Sequence, residues 1–323
     1  MRDPDLQRQV EERGWVVVDL LTDSEVRAMV DGYDQLDHEI TVDRSFAAGF
    51  HATIIDERHD YRIKCHDLIA GIFESAADRV FDDMTLAMTN FVHKEPGAAA
   101  VPDHVDWTMV DEPAVSSLSV WSPMCDTDVS TGCIGVLDRS HRSVPFIRAS
   151  VNPSYMETSD FGADLPGREL LPLKAGQAVV FDHRLVHFST AHQGSEPRVA
   201  FTCEMVPSEV PLVHFERIDT GRFRRHVVEP GFFTLYSAGQ DPCIVPGHIS
   251  CSEVDAISFD QVWAPTDSDD AAAVDASAPD AAAPDASGPD FAAPVGLDAD
   301  ESDEAPSSKP RRLIASLLRR AKR

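Results

Sequence analysis

Two segments far apart in the chain carry side chains that could hold a transition metal. The first is His104-Val105-Asp106. The second centres on His187, with Ser189 two residues on and Arg198 eleven residues on. Along a strand, residues i and i+2 project to the same side, so the His104 imidazole and the Asp106 carboxylate converge there. Alone that pair is a weak signal, because a chain with 13 histidines yields about one His-x-Asp by chance. His187 strengthens it. Two histidines and a carboxylate make the facial triad of non-haem Fe(II) oxygenases, which leaves three adjacent coordination positions open. Arg198, on a neighbouring strand, can grip the far carboxylate of a co-substrate in fork geometry, a task at which lysine is poorer.

Such a site needs a scaffold of paired strands, and the flanking residues predict one. From residue 85 to 215 short apolar runs (LAMTNFVHK, SSLSVWSPM, CIGVL, QAVVFDHRLVHFS, RVAFTCEMV) alternate with Gly, Pro, Asp and Ser. That rhythm predicts an antiparallel sandwich or barrel, not βαβ units. The N-terminal 40 residues read as helix, strand, helix. Trp15 to Leu21 is short and β-branched, hence a strand. Thr22 to Glu25 matches a capping box, followed by Val26, Met29, Val30 and Tyr33 on one helical face.

The 323 residues, 43% hydrophobic and 26% charged, suffice to bury a full core. The expected organisation is a catalytic-type domain over 1–264, an acidic linker over 265–308 and a basic terminal helix over 309–323. Beyond residue 264 Ala, Asp, Pro and Ser dominate, with Pro-Asp pairs at 279–280, 284–285 and 289–290. Such a stretch buries too little to offset its ordering entropy and reads as a disordered, extended linker. The last residues, PRRLIASLLRRAKR, place Leu313, Ile314, Leu317 and Leu318 on one face of an amphipathic helix that could meet an anionic membrane surface or an acidic partner. The net charge of −27 lacks the basic footprint of nucleic-acid binding. No stretch predicts a transmembrane helix, and the opening residues lack the apolar core of a secretory signal, so a cytoplasmic location is expected. The six cysteines form no CxxC pair and read as reduced, small buried hydrophobes.

With these residues in view, the sequence resembles the phytanoyl-CoA dioxygenase family of Fe(II)/2-oxoglutarate-dependent oxygenases over roughly residues 8 to 207. ERGWVVVDLLTDSEV is similar to the family's helix–strand–helix entry, FVHKEPG to the strand before the HxD turn, SVWSPMCDTDVSTGCIGVLDRSH to its central stretch, and HFSTAHQGSEPR to its distal His, Ser and Arg segment. The resemblance implies a mainly β fold, a double-stranded β-helix (jelly-roll, cupin-like) core with N-terminal helices. It implies iron held by His104, Asp106 and His187, and 2-oxoglutarate held by Arg198 with Ser189 and Lys94 as helpers. Ascorbate is an expected auxiliary reductant. The activity it implies is hydroxylation of a C–H bond in a small organic substrate, with release of succinate and carbon dioxide. Asp106 favours that outcome over halogenation, since related halogenases carry a small residue in its place. Two positions depart from the pattern: His192 stands where the family shows Asn, and Asp138-Arg139-Ser140-His141 where it shows Pro-Gly-Ser-His.

Competing assignments stay open at this level. His183 lies four residues before His187 and would share its strand face, although the Ser189 and Arg198 spacing favours His187. His141 and His192 read as loop or supporting residues. His214-Phe215-Glu216 imitates a HxE pair without a following His-x-Ser and Arg, and reads as a solvated strand end. Trp107 and Trp121 read as core or cavity wall. The alternative functional class is a non-catalytic jelly-roll binding protein acting through its C-terminal tail. A cupin-type hydrolase or isomerase would have no need of Arg198.

Overall fold

A computed structural model of the chain describes residues 1–36, 49–112, 115–142, 147–149, 167–219 and 221–255. The expected linker (265–308) and terminal helix (309–323) lie outside the described residues. Helix α1 (Pro4–Arg13) starts at Asp3, whose side chain accepts from the Asp5 amide, and stops at Gly14 in a left-handed turn. Strand β1 (Trp15–Asp19) is shorter than the apolar run predicts, because the amides of Leu20 and Leu21 turn to the Gly176 carbonyl. Helix α2 (Asp23–Asp34) opens on a reciprocal cap: Thr22 takes the Glu25 amide while Glu25 takes the Thr22 amide, which satisfies two otherwise unpaired donors. Strand β2 (Phe50–Ala52) and helix α3 (His59–Val80) follow.

The remaining strands build two facing antiparallel sheets. They are β3 (Met84–Lys94), β4 (Val101–His104), β5 (Leu118–Pro123), β6 (Ile134–Leu137), β7 (Arg168–Leu171), β8 (Gln177–Asp182), β9 (His187–Ser189) and β10 (Arg198–Pro207). The larger sheet runs β1-β8-β5-β10-β3-β2 and the smaller β4-β9-β6-β7. This is a jelly-roll, mainly β with N-terminal helices. A third sheet is the meander β11 (Leu212–Asp219), β12 (Arg222–Val228), β13 (His248–Asp255), with a short helix α4 (Phe232–Leu235) between its last two strands.

Period-two geometry sorts the side chains of the large sheet. Val16, Val18, Val120, Ala178, Val180, Phe201 and Cys203 face outward and pack with Met29, Ile69 and Phe73 of α2 and α3. Trp15, Trp121, Val179, Phe181 and Ala200 face inward and meet Ile134, Val136 and Leu171 of the small sheet. Both faces are buried, which is why these strands read as unbroken apolar runs. Phe73 is fully buried; truncating it to alanine would cost about 3–5 kcal/mol. In the small sheet, a Cβ at Gly135 would sit 2.2 Å from the Phe188 ring. Glycine there lets Phe188 lie across the sheet beneath the Arg168 guanidinium, 3.9 Å from its ring centre, and so fixes the strand that carries His187.

Candidate metal centre

The small sheet brings the two histidines together. His104 ends β4 and stands directly opposite His187, the first residue of β9, with ring centres 4.1 Å apart. Asp106 is not on a strand, contrary to the alternation argument. It lies beyond the end of β4, where its amide donates to the His183 carbonyl. That turn, and not strand alternation, swings its carboxylate back. Ligand atoms of His104, Asp106 and His187 all lie within 4.8 Å of one another, with His187 Nε2 3.7 Å from Asp106 Oδ1.

Each imidazole is oriented by the chain itself. His104 Nδ1 donates to the Pro102 carbonyl at 2.9 Å and His187 Nδ1 to the Leu185 carbonyl at 3.0 Å. A carbonyl can only accept, so the proton of each neutral ring is held on Nδ1 and the Nε2 lone pair is free to ligate. Burial and the neighbouring His187 lower His104 to about 4, which keeps it neutral. Burial works against the charge on Asp106, but His187, His183, His104 and the Ser119 hydroxyl together hold its carboxyl below the usual range. The position of His187 is fixed from behind: the Ser140 hydroxyl accepts from the Val186 amide at 2.8 Å.

His183 does not share a strand face with His187. The run QAVVFDHRLVHFS splits into β8 and β9 in different sheets, and His183 sits in the turn between them. Its Nε2 donates to Glu204 Oε2 at 2.9 Å, and Ser119 Oγ bridges Glu204 and Asp106. Burial opposes its charge, yet Glu204, Asp106 and Glu112 outweigh burial and raise its pKa. Ser119 and Glu204 went unnoticed in the sequence. Their signal was a serine and a lone carboxylate at inward positions of otherwise apolar strands.

Arg198 begins β10 and pairs in register with Lys94, the last residue of β3. Both are fully buried. Arg198 Nε and Nη1 have no hydrogen-bond partner among the described residues, and the guanidinium lies 5.4 Å from the Trp121 ring centre. Lys94 Nζ donates to the carbonyls of Thr190 (2.6 Å) and Ala99 (2.9 Å). Burial pushes Arg198 down to about 10, and burial plus the Arg198 charge pushes Lys94 down to about 7. Two adjacent buried cationic side chains with no described carboxylate between them leave positive charge that a bound anion could balance. Gly132 lies against both: with φ at +80°, a Cβ there would stand 3.3 Å from Lys94 Cδ and 3.6 Å from Arg198 Nη2. Ser189, buried in β9, lies on the same strand face as His187.

The two departing motifs have local reasons. Asp138 accepts from Arg13 Nε (2.8 Å) and Trp15 Nε1 (2.9 Å), which ties α1 to the small sheet; proline could not do this. Arg139 takes the glycine position at φ 65°. His141 is buried against α1, near the Glu11 carbonyl. His192 Nε2 donates to the Glu196 carbonyl at 2.7 Å and its amide to Ala98, so it braces the loop below Lys94. Trp121 is core. Trp107 lines a cleft of about 160 Å³ with Ile54, Arg62, Phe233 and Tyr236.

Two further sequence expectations fail. His214 is not a solvated strand end: it is fully buried in β11 among Phe232, Phe233 and Tyr236, and burial lowers it to about 3. The meander and α4 enclose the position, with the Phe232, Phe233 and Tyr236 rings around it. Only Cys65, Cys133 and Cys203 are buried; Cys125, Cys243 and Cys251 are exposed.

A jelly-roll whose small sheet presents two oriented imidazoles and a carboxylate, beside a buried cationic pair, defines a metal-dependent oxygenase scaffold. The phytanoyl-CoA dioxygenase (PhyH) family profile matches residues 10–200, more than half of the chain. The protein belongs to that family of Fe(II)/2-oxoglutarate-dependent oxygenases. No curated protein sequence matches it. Among solved structures it is similar to the α-ketoglutarate-dependent epimerase SnoN of nogalamycin biosynthesis (20% identity, TM-score 0.48, covering 77% of this chain and 94% of that one). It is also similar to HygX from Streptomyces hygroscopicus with nickel and 2-oxoglutarate bound (12%, 0.44, 64% and 88%) and to EvdO2 from Micromonospora carbonacea var. aurantiaca (21%, 0.45, 63% and 90%). No helix among the described residues is long and apolar enough to cross a membrane.

Proposed function

We propose that the chain is a cytoplasmic Fe(II)/2-oxoglutarate-dependent hydroxylase of a small organic substrate, with His104, Asp106 and His187 as iron ligands. The observation that carries this reading is the convergence of the three groups with both Nδ1 atoms committed to backbone carbonyls, which turns both Nε2 lone pairs toward one point. Bound there, ferrous iron with 2-oxoglutarate supplies an oxidant for C–H bonds, with succinate and carbon dioxide as co-products. The protein supplies position and charge. Arg198 and Lys94 hold the far carboxylate of the co-substrate, and Ser189 adds a hydroxyl. The network of Ser119, Glu204 and His183 keeps Asp106 ionised and fixed. The cleft beside Trp107, where Glu57 and Arg62 join Ile54, Phe233 and Tyr236, would suit a small molecule with both apolar and polar parts.

The test is succinate formation by purified protein with Fe(II), 2-oxoglutarate and ascorbate, alongside iron content by mass spectrometry. Slow turnover without added substrate is expected, falling at least 100-fold in His104→Ala with loss of iron. Equal iron content in His104→Ala and wild type would refute the ligand assignment.

A further inference from the structure

Outside this centre, the meander gathers a second set of metal-binding side chains: His226, Cys243, His248 and Cys251 each offer a ligand atom, all within 4.8 Å of one another. They come from three pieces of chain. His226 is on β12, His248 and Cys251 are on β13, and Cys243 is in the short turn Pro242–Ile244. His226 and Cys251 are cross-strand partners, so their side chains share a sheet face. His248 is three residues before Cys251 and would point the other way on a regular strand. A register shift between Val227 and Val228 places His248 opposite Val228, and this bulge re-aims it to the same face. Cys243 is held by Asp241, which accepts from the Cys243 amide at 2.9 Å.

The spacing of the donors fits a single ion. His226 Nδ1 and His248 Nε2 are 3.1 Å apart. Two imidazoles on a tetrahedral zinc with Zn–N of about 2.0–2.1 Å would stand roughly 3.3 Å apart. The other nitrogen of His226 is buried and 3.5 Å from Glu216 Oε2, the carboxylate–histidine arrangement that orients imidazole ligands of zinc. Two thiols select a borderline-soft ion over magnesium or calcium. We propose that His226, Cys243, His248 and Cys251 form a structural zinc site. A closed four-coordinate set leaves no position for substrate. Its effect would be to pin β13, an edge strand, and the turn before it onto β12.

The test uses the full chain, reduced and loaded with Zn(II) or Co(II), desalted and assayed for metal. His104→Ala, with its first centre disabled, should retain about one zinc and wild type up to two, and both cobalt forms should show thiolate-to-cobalt charge transfer. The double variant Cys243→Ser/Cys251→Ser should lose the thiolate charge transfer and one equivalent of zinc relative to wild type, while succinate formation at the iron centre persists. Its circular dichroism separates loss of the site from loss of the fold, because exposed positions tolerate serine. Three results would each overturn the proposal: no cobalt–thiolate absorption in reduced wild type, unchanged zinc in the double variant, or a Cys243–Cys251 disulfide in protein prepared without oxidant.

Discussion

Replacing Arg198 with methionine should strengthen the free protein and weaken its grip on 2-oxoglutarate. Burial lowers the guanidinium from 12.5 to about 10, which corresponds to about 3 kcal/mol against the charged form. Methionine keeps much of the length and the packing on Trp121 while removing that charge. Loss of the Trp121 contact at 5.4 Å takes back up to about 1 kcal/mol, so a net gain of about 2–3 kcal/mol remains. For a domain of this size that is a rise of roughly 4–12 °C in Tm. Removing one partner of a buried charge pair costs about 2–5 kcal/mol in binding, so 2-oxoglutarate should bind roughly 10²- to 10³-fold more weakly. Arg198→Lys should fall between, since it keeps the charge and loses the fork. Differential scanning calorimetry of the free protein and anaerobic titration calorimetry with Mn(II) read the two effects separately. A less stable variant that binds 2-oxoglutarate as tightly as wild type would show that Arg198 is a structural cation, and the anion-binding argument would fail.

Two further outcomes follow from the same geometry. Lys94, lowered to about 7, is ammonium below that pH and neutral above it in the free protein; a bound carboxylate favours the ammonium and raises its pKa. Binding should then take up a proton above pH 7, and affinity should fall between pH 7 and 9 by at most about tenfold per pH unit. Calorimetry in buffers of different ionisation enthalpy checks this, and a flat profile would exclude Lys94 from the anion site. Arg139→Gly relieves a left-handed backbone at φ 65° and loses only an exposed 3.6 Å ion pair with Asp138, so urea unfolding should show a gain of up to about 1 kcal/mol.

What the sequence made legible was local or periodic. The Thr22–Glu25 cap and β1 depend on neighbours a few residues away, and the apolar runs of β3, β5, β6, β8 and β10 report burial on both faces. What it hid depends on the third dimension. The carboxylate of Asp106 reaches the imidazoles through a turn that follows β4, anchored to the His183 carbonyl, and no alternation rule describes that. His214 precedes Glu216 in a His-Phe-Glu run, but α4 arrives from 18 residues later to bury it. No CxxC spacing links Cys243, His248 and Cys251, and the bulge at Val227 that aligns them is invisible in a one-dimensional pattern. Glu204 looked like one more charge in an acidic chain until its strand proved buried on both sides.

The choice between His183 and His187, open in the sequence, is argued by the protons each ring carries. A metal ligand must present an unprotonated nitrogen. His187 gives its one proton to the Leu185 carbonyl and aims Nε2 at Asp106. His183 is set up the opposite way: Nε2 donates to Glu204, Nδ1 lies 3.2 Å from the Trp107 carbonyl, and the surrounding carboxylates favour its imidazolium. Asp106, His183 and Glu204 also lie close enough to hold an ion, but the His183 Nε2 donates to Glu204 and the carboxylates around the ring favour its cationic form. The same cation compensates Glu204 and helps keep Asp106 ionised. Under the proposed ligand set, His183 would act on the metal through the Asp106 carboxylate, which gives two histidines four residues apart different tasks at one centre.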